Sequence, residues 1–376
     1  MRGFALASKS NSQDRVIMVL PLYHATGGLC GVGLAMTNGG AVIVRSKFSV
    51  SSFWDEAVTY KATMMMYVGE LCRFLLNAPE HRNERAHSIR CIVGNGLRPE
   101  VWPEFVERFN IPKVVEFYGA TEGNISLINA GGPVGAVGRL PDFLKSKTNG
   151  EIIRYDVESA SHIKGSDGLF QKTSPDEVGE LIGEIRAGET RFKYDGYESK
   201  EASNKKILRD VFKKGDMWFR TGDLMRKDAR GYCYFIDRIG DTFRWKAENV
   251  STGEVAEALT AFDGVDQANV YGVEVPKCDG RAGMASLVAA RSVELSDLFA
   301  HLENALPHYA RPVFLRITPE TEITTTFKYK KTNLVKEGYD PDKVPDALFI
   351  SDTKAKTFIP LDKTLFKKIQ KGELKF

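Results

Sequence analysis

Two neighbouring segments of the chain read Thr221-Gly222-Asp223 and Phe235-Ile236-Asp237-Arg238-Ile239-Gly240-Asp241-Thr242-Phe243-Arg244-Trp245-Lys246-Ala247-Glu248-Asn249. The first is typical of a turn that presents one carboxylate, and the apolar run Tyr232–Ile236 predicts a buried strand. Gly240 suits a hinge, because glycine accepts backbone angles that other residues do not. A carboxylate beside an arginine suits a ligand with neighbouring hydroxyls and a phosphate, such as a nucleotide ribose. A surface turn with local ion pairs would give the same pattern.

Length and composition narrow the class of protein. A chain of 376 residues is too long for one compact core, so two or more domains are expected. Hydrophobic residues make up 43% and charged residues 27%, which is ordinary for a soluble globular protein. A net charge of +3 is too small to indicate a nucleic-acid partner. The five scattered cysteines lack Cys-x-x-Cys spacing, which argues against a disulfide framework or zinc site and for a reducing, intracellular compartment.

One uncharged segment has to be weighed as a membrane span. Val16–Val44 contains no Asp, Glu, Lys or Arg, but it holds Pro21, His24 and repeated glycines. We therefore predict a strand at Val16–Leu20, a loop and a short helix, and a second strand at Ala41–Val44, in preference to a span.

The first part of the chain alternates strands and helices. The predicted elements, in order after residue 50, are a helix at Phe53–Tyr60, a strand at Met64–Val68, a helix at Glu70–Asn77, a strand at Arg90–Val93, a helix at Pro99–Phe109 and a strand at Val114–Phe117. The last two strands end in Gly94-Asn95-Gly96 and in Tyr118-Gly119-Ala120-Thr121-Glu122-Gly123. Ligands bind at the carboxyl ends of strands in open α/β sheets, so both loops are candidate binding elements.

The remaining segments predict two further structural regions. Frequent glycines and short predicted strands indicate that residues 131–239 are β-rich. After residue 240, predicted helices and strands alternate again, over a length typical of a small α+β domain. We thus predict a large domain at 1–239, with an α/β part at 1–130, and a small domain at 240–376. The lysine-rich tail from Lys354 is interpreted as a solvated face, with a weak contact to an anionic membrane as the alternative.

Several residues can carry chemistry. In the motif that begins at Tyr118, the tyrosine offers a flat face for a base, Gly119 and Ala120 let the backbone approach a ligand, and Thr121 can hydrogen-bond a phosphate. Glu122 can hold Mg²⁺, which prefers oxygen ligands. A tight turn with an exposed acid is the alternative. Taken singly, His24 is more typical of a packed or hydrogen-bonded histidine than of a catalytic one, and Lys328 is more typical of a solvent-exposed lysine.

As an ordered set, these motifs resemble the adenylate-forming, AMP-binding superfamily of acyl-CoA synthetases. The set comprises Pro21-Leu22-Tyr23-His24, Gly94-Asn95-Gly96-Leu97-Arg98-Pro99, Tyr118-Gly119-Ala120-Thr121-Glu122-Gly123-Asn124, Thr221-Gly222-Asp223-Leu224, Asp237-Arg238-Ile239-Gly240-Asp241-Thr242-Phe243-Arg244-Trp245-Lys246 and Thr326-Phe327-Lys328. Two of them, with Gly280-Arg281-Ala282-Gly283-Met284-Ala285, resemble the branch of fatty acid transport proteins and very-long-chain acyl-CoA synthetases. The likeness runs from about Asp14 to the end.

The resemblance implies a fold and a two-step reaction. The fold would be the C-terminal part of a large α/β domain with a β-rich subdomain, followed by a small mobile α+β domain. The family uses ATP and Mg²⁺ to convert a fatty acid or related carboxylic acid into an acyl-adenylate. The small domain then rotates, and CoA attacks the adenylate to give the thioester.

The resemblance also implies roles for single residues. Tyr118 would stack on adenine, with Gly119 and Ala120 beside it, and Gly94-Asn95-Gly96 would form the opposite wall of the adenine site. Thr121 would contact phosphate, and Glu122 would hold Mg²⁺. Asp223 would bind the ribose hydroxyls, and Arg238 would support the ribose and the phosphate. His24 would lie near the acyl carboxylate, and Ala247 on the path of the CoA arm. Lys328 would stabilise the charge that builds during adenylation.

Three departures from the family pattern lead to expectations of their own. The family's Ser/Thr/Gly-rich phosphate loop lies upstream of the position of Pro21, so we expect this chain to be N-terminally truncated and to be a poor ligase alone. Ala247 stands where glycine is usual, and its methyl group would hinder the thioester step. Thr325 replaces another glycine close to Lys328 and would stiffen that loop.

Three hypotheses remain open at this point. The first is a long- or very-long-chain fatty acid–CoA ligase. The second is a non-catalytic relic that binds nucleotide or a partner, and the third is a CoA ligase for another acid of secondary metabolism. The resemblance suggests association with membranes of the endoplasmic reticulum, peroxisomes or lipid droplets, although Leu374-Lys375-Phe376 is a poor match to a Ser-Lys-Leu peroxisomal address.

Overall fold

The structure, a computed structural model, describes residues 1–121, 123–141, 143, 148–157, 159–186, 188–194, 196, 200–246, 248–289, 293–321, 331–374 and 376. The chain forms two compact units. The first comprises Met1–Tyr155 and His162–Phe235, and the second comprises the described residues of Asp156–Ser161 and those from Ile236 to the C terminus. The main division falls between Phe235 and Ile236.

A mostly parallel sheet forms the core of the first unit. Its strands are β1 (Arg15–Met18), β2 (Ala41–Val44), β3 (Met64–Val68), β4 (Cys91–Asn95), β5 (Val114–Gly119) and β6 (Ser126–Asn129). The described strands lie in the order β2-β1-β3-β4-β5-β6, and every neighbouring pair is parallel except β5 with β6. Met64, Met65 and Met66 are fully buried because a parallel strand is covered on both faces.

Helices connect these strands and cover the sheet. They are α1 (Arg2–Ser8), α2 (Gly33–Asn38), α3 (Phe53–Thr59), α4 (Gly69–Leu76) and α5 (Val101–Phe109), with a π-helix at Ala25–Val32 before α2. In α5, Val101, Phe105 and Phe109 recur every four residues and are buried, which places one apolar face on the sheet. The segment from residue 16 to 44 thus folds as strand, helix and strand, as predicted. Within the described residues, no helix combines the length and apolar character needed to cross a bilayer.

A second, antiparallel sheet accounts for the β-rich part of the first unit. Its elements are β7 (Ala136–Arg139), β8 (Gly150–Asp156), β9 (Ser161–His162), β10 (Val178–Glu184), α6 (Lys200–Lys205), β11 (Ile207–Arg209), β12 (Met217–Lys227) and β13 (Tyr232–Arg238). The described strands follow the order β7-β13-β12-β10-β8-β9, and β11 pairs with β12. The long strand β12 carries Thr221-Gly222-Asp223 at its centre.

The second unit is a small α+β domain, which agrees with the predicted fold class. Its elements are β14 (Phe243–Trp245), β15 (Glu248–Val250), α7 (Thr252–Thr260), β16 (Val265–Glu274), β17 (Arg281–Ala289), α8 (Leu295–Ala305), β18 (Phe314–Ile317), α9 (Thr332–Glu337), β19 (Ala347–Asp352), β20 (Thr357–Pro360) and α10 (Lys363–Lys371). The described strands β16 to β20 form one sheet in chain order, and β14 pairs with β15. Gly272 lets the Phe243 ring lie on this sheet, because a Cβ there would stand 2.7 Å from the ring.

The lysines of the tail form a solvated face, as predicted, but the tail also contributes a strand and a helix to the fold. Strand β20 pairs with β19 at the edge of the sheet, and α10 follows it. Asp362 caps α10 by accepting a hydrogen bond from Leu365 N at 2.7 Å, and Gly372 ends it with a φ of 67°. Ile369 is fully buried while the lysines face outward. The helix is therefore amphipathic and belongs to the core of the second unit.

Candidate functional site

The structure brings together two residues that the sequence analysis assigns to nucleotide binding. Tyr118 lies near the end of β5 and Asp223 in β12, and the Tyr118 hydroxyl donates to Asp223 Oδ2 at 2.5 Å. Gly222 has a φ of 79°, a value that favours glycine, and the turn it makes projects the carboxylate. Thr221 Oγ1 accepts from Asp223 N at 3.1 Å and donates to Leu181 O at 2.6 Å, which fixes the turn to β10.

A buried carboxylate also holds this turn. Glu180, in β10, is fully buried and accepts from Gly222 N at 3.0 Å, from the Arg220 guanidinium at 3.0–3.3 Å and from His162 Nε2 at 2.6 Å. Burial by itself would raise the pKa of Glu180, but the hydrogen bond from His162 and the positive charge of Arg220 lower it overall. Glu180 is therefore ionised at neutral pH and fixes the backbone on the N-terminal side of Asp223.

The Gly94-Asn95-Gly96 turn begins in the last two residues of β4, where Gly94 pairs with Glu116 of β5. Gly94 is obligatory, because a Cβ there would lie 2.2 Å from the carbonyl oxygen of Tyr67. Gly96 has a φ of 77°. Glu116, directly opposite Gly94 on β5, accepts hydrogen bonds from Gly96 N at 2.5 Å and from Leu97 N at 3.3 Å, and also from the Tyr67 hydroxyl. The buried carboxyl group of Glu116 thus fixes the backbone of this turn.

The same environment changes the acidity of Glu116. Its side chain is 1% exposed, and this burial raises the pKa to about 8, although the hydrogen bonds from Tyr67, Gly96 and Leu97 favour the ionised form. The pKa of Tyr67 is raised as well, through burial first and the neighbouring Glu116 second. Near neutral pH the pair therefore holds a proton that a solvent-exposed glutamate would have lost.

Glu116→Gln is expected to remove a pH dependence of stability. A carboxyl group whose pKa is raised by folding contributes its full stabilisation below the unfolded-state pKa of 4.5, and this contribution is lost as the pH rises to about 8. Urea unfolding should be measured at about pH 5 and about pH 9. As the pH rises, the free energy of unfolding of wild type should fall relative to that of Glu116→Gln, by roughly 1 kcal/mol per pH unit at most. Glu104→Gln, an exposed position on α5, is the control that should follow wild type. Parallel profiles for wild type and Glu116→Gln would contradict the assigned proton.

A cavity of about 300 Å³ adjoins the loop after β5. Its lining residues are Gly119, Ala120, Gly123, Asn124, Ile125, Ser126, Leu140, Thr148, Asn149, Thr190, Phe192 and Lys193. Asn124 Oδ1 is buried here, and neither it nor Asn95 Oδ1 has a hydrogen-bond partner within the described part of the chain. Buried polar atoms of this kind normally pair with another polar group or an ordered water.

The other predicted residues fall into three groups. His24 begins the π-helix, where its Nδ1 accepts from Thr26 N at 3.3 Å. Thr121 is exposed beside the cavity loop, and Arg238 is exposed at the end of β13. Glu122, Ala247, Thr325 and Lys328 lie outside the described residues.

The predicted hinge segment is anchored by Asp237 in the second unit. Asp237 is 4% exposed, and its Oδ2 accepts from Thr252 N at 2.7 Å and from the Thr242 hydroxyl at 3.1 Å. Lys331 Nζ donates to Asp241 Oδ2 at 3.1 Å and to Thr252 Oγ1 at 2.9 Å. A Cβ added at Gly240 would meet nothing within 4 Å, so glycine is not required there for space.

Sequence reasoning missed Glu116 and Glu180. A signal was present for Glu116, which is a single acid inside an apolar run that predicts a buried strand, and a buried acid has to be paired. The signal for Glu180 was weaker, because Glu184 lies in the same predicted strand. For the proposed metal, the described residues contain no cluster of three or more His, Cys, Asp or Glu side chains that could hold an ion.

Comparison with known proteins gives matches along most of the chain. The AMP-binding enzyme family matches residues 2–158, and the AMP-binding enzyme C-terminal domain matches residues 254–328. Long-chain fatty acid transport protein 2 of Rattus norvegicus is 43% identical over 99% of this chain and 60% of its own length. Long-chain fatty acid transport protein 1 of Mus musculus is 42% identical over 94% of this chain and 55% of its own length. The chain thus spans a little over half the length of these curated relatives.

Solved structures show the same fold at lower identity. ATP-bound MatB from Rhodopseudomonas palustris superposes with a TM-score of 0.72 at 21% identity, over 89% of this chain and 62% of that chain. The o-succinylbenzoate CoA synthetase of Bacillus subtilis, in complex with its acyl-adenylate intermediate, gives a TM-score of 0.65 at 25% identity, over 87% of this chain and 62% of that chain. With both family matches and relatives above 40% identity, the chain belongs to the AMP-binding, adenylate-forming enzyme family, in the branch of the long-chain fatty acid transport proteins.

Proposed function

We propose that this protein is an ATP-dependent fatty acid–CoA ligase that works through an acyl-adenylate. The observation that carries the proposal is the contact between Tyr118 and Asp223 at the carboxyl edge of the parallel sheet. An aromatic ring and a carboxylate at this distance can bind the base and the ribose hydroxyls of one nucleotide. The named relatives are fatty acid transport proteins, which favours a long-chain acid over an acid of secondary metabolism.

Different residues of the chain would bind different parts of ATP during adenylation. Tyr118 and the wall formed by Gly94-Asn95-Gly96 would hold adenine, and Asp223 the ribose. Thr121 would hydrogen-bond phosphate, and Arg238 would support ribose and phosphate by charge-assisted hydrogen bonds. Glu122 would hold Mg²⁺, which supplies positive charge to the phosphates when bound.

The acid and the thiol would engage other residues. His24 would lie near the acyl carboxylate, and Lys328 would stabilise the negative charge that develops as the carboxylate attacks phosphorus. In the second step, the sulfur of CoA attacks the acyl carbon and AMP leaves. Ala247 would lie beside the arm of CoA during this step.

The test is release of pyrophosphate by the complete product of the gene. We expect release to need both ATP and a long-chain fatty acid, and acyl-CoA to form when CoA is added. Benzoate in place of the fatty acid is the matched control and should give far less product. A protein that binds ATP but releases no pyrophosphate with any acid would support a non-catalytic binding protein instead.

We also propose that the protein works at an intracellular membrane as a peripheral protein, because its substrates partition into lipid. Cell fractionation followed by washing at alkaline pH tests this. Recovery in the membrane fraction and release by the wash are expected, whereas full recovery in the supernatant before washing would contradict the proposal.

A further inference from the structure

A second cavity, of about 700 Å³, lies within the second unit. Its wall is mainly apolar and comes from α8, β18 and the segment before it, the β19–β20 hairpin, α10 and the C-terminal residues. The apolar lining residues are Trp245, Phe299, Leu302, Pro312, Val313, Ile350, Phe358, Ile359, Leu365, Leu374 and Phe376. A volume of this size is typical of pockets that take a small organic ligand.

Most of this wall lies outside the part of the chain that matches the family's C-terminal domain. That match ends at residue 328, whereas β19, β20 and α10 all follow it. The aromatic side chain of Phe376 closes the cavity by packing edge-on against Trp245, with ring centroids 6.4 Å apart. The cavity is therefore built largely by the segment that follows the family match, and its lining residues all lie in the second unit.

Positive charge collects at one corner of the cavity. Lys246 and His308 are exposed there. Arg311 donates to Leu306 O at 3.0 Å and to Glu303 O at 2.9 Å, and its Nη1 forms an ion pair with Glu303 Oε1 at 3.3 Å. Partial burial lowers the pKa of His308, and repulsion by Lys246 and Arg311 lowers it further. Glu303 offsets the charge of Arg311, so Lys246 supplies the positive charge of the corner when the imidazole is neutral.

The acidic groups at the cavity do not cancel this corner. Asp352 accepts from Lys354 N at 2.9 Å and from Ala355 N at 3.0 Å, so its carboxylate is directed into its own turn. Glu373, at the end of α10, is exposed. Lys354, also at the cavity, offsets one of these two charges.

An apolar cavity with a cationic corner fits one class of molecule, an unbranched hydrocarbon chain with an anionic head. We propose that this cavity binds a long-chain fatty carboxylate, with the chain against Phe299, Phe358 and Leu365 and the carboxylate at Lys246, beside His308. The inference does not depend on the proposed ligase function, because none of these residues belongs to the adenylation site.

The first measurement is binding of cis-parinaric acid, a naturally fluorescent fatty acid, to the full 376-residue chain. Palmitate should displace the probe with one-to-one stoichiometry at this site, and hexadecanol, of equal chain length without charge, should displace it at least about threefold less well. Absence of saturable binding would overturn the proposal. Equal displacement by palmitate and hexadecanol would contradict the claim that the cavity recognises an anionic head group.

Two variants with matched controls assign the binding to this cavity. Leu365 is partly exposed and lines the cavity, so Leu365→Trp should occupy part of its volume and weaken palmitate binding about tenfold or more. Val335→Trp, on α9 and away from the cavity, should bind as wild type does.

Lys246→Glu should weaken the affinity for palmitate about threefold to tenfold and leave the affinity for hexadecanol unchanged. Lys367→Glu on α10 makes the same charge change outside the cavity and should have no effect.

These variants also separate this cavity from a fatty-acid site elsewhere in the chain. Circular dichroism establishes that each variant is folded before its affinity is compared. Unchanged palmitate affinity in both Leu365→Trp and Lys246→Glu would place the bound fatty acid elsewhere and overturn the proposal. Loss of binding in Val335→Trp to the same extent as in Leu365→Trp would also overturn it.

Discussion

Lys328→Ala is expected to lower the rate of adenylate formation by about a hundred- to a thousandfold, the scale of losing one preorganised group that stabilises transition-state charge. Attack of a carboxylate on the α-phosphorus of ATP builds negative charge on phosphate oxygens, and an ammonium group placed there stabilises it. The same variant should leave thioester formation from a supplied acyl-adenylate nearly unchanged, because the family's lysine leaves the site when the small domain rotates.

The neighbouring lysines make this assignment testable. Lys331 is committed to other groups, since its Nζ donates to Asp241 and Thr252 in the second unit. Lys331→Ala should therefore act through the stability of that segment and affect both half-reactions alike. Lys336→Ala, at an exposed position on α9, is the matched control and should leave both rates unchanged. Equal loss of both half-reactions in Lys328→Ala would contradict the domain-rotation assignment.

The parallel sheet of the first unit was predictable because burial on both faces leaves continuous apolar runs in the sequence. Predicted strand ends differ from the observed ones by a few residues, as at Cys91–Asn95 against the predicted Arg90–Val93, since pairing to a neighbouring strand extends a strand into its loop. Helix α10 was missed for a different reason. Its lysines dominate the composition of the tail, while Leu365 and Ile369, four residues apart, provide only one repeat of the helical period.

In the candidate site, too, some features were predictable from the sequence and others were not. Motifs identify Tyr118 and Asp223 separately, but only the fold shows that side chains 105 residues apart share a hydrogen bond. Glu116 could not be assigned from the sequence, because its partners Tyr67 and Gly96 come from other strands and loops. A buried acid in a strand indicates that a partner exists, and the chain topology decides which residue it is.

Asp223→Ala is expected to weaken nucleotide binding about ten- to a hundredfold. A hydrogen bond to a charged group contributes roughly 1.5–3 kcal/mol, which corresponds to this range of affinity. The loss should be specific to the nucleoside end, because Glu180 and Thr221 hold the turn through the backbone and through Thr221 Oγ1 and do not need the Asp223 carboxylate.

Titration of ATP and of 2′,3′-dideoxy-ATP against both proteins is the decisive measurement for Asp223. Wild type should prefer ATP, because both ribose hydroxyls can donate to the carboxylate, whereas Asp223→Ala should bind the two nucleotides equally. Tyr118→Phe keeps the ring and removes the hydroxyl that donates to Asp223, so it should retain most of the affinity and the preference for ribose. Asp297→Ala, at an exposed position on α8, controls for loss of one negative charge. If Asp223→Ala bound ATP as tightly as wild type and still preferred it over the dideoxy analogue, the ribose would be held by other residues, and the contact between Tyr118 and Asp223 would only be structural.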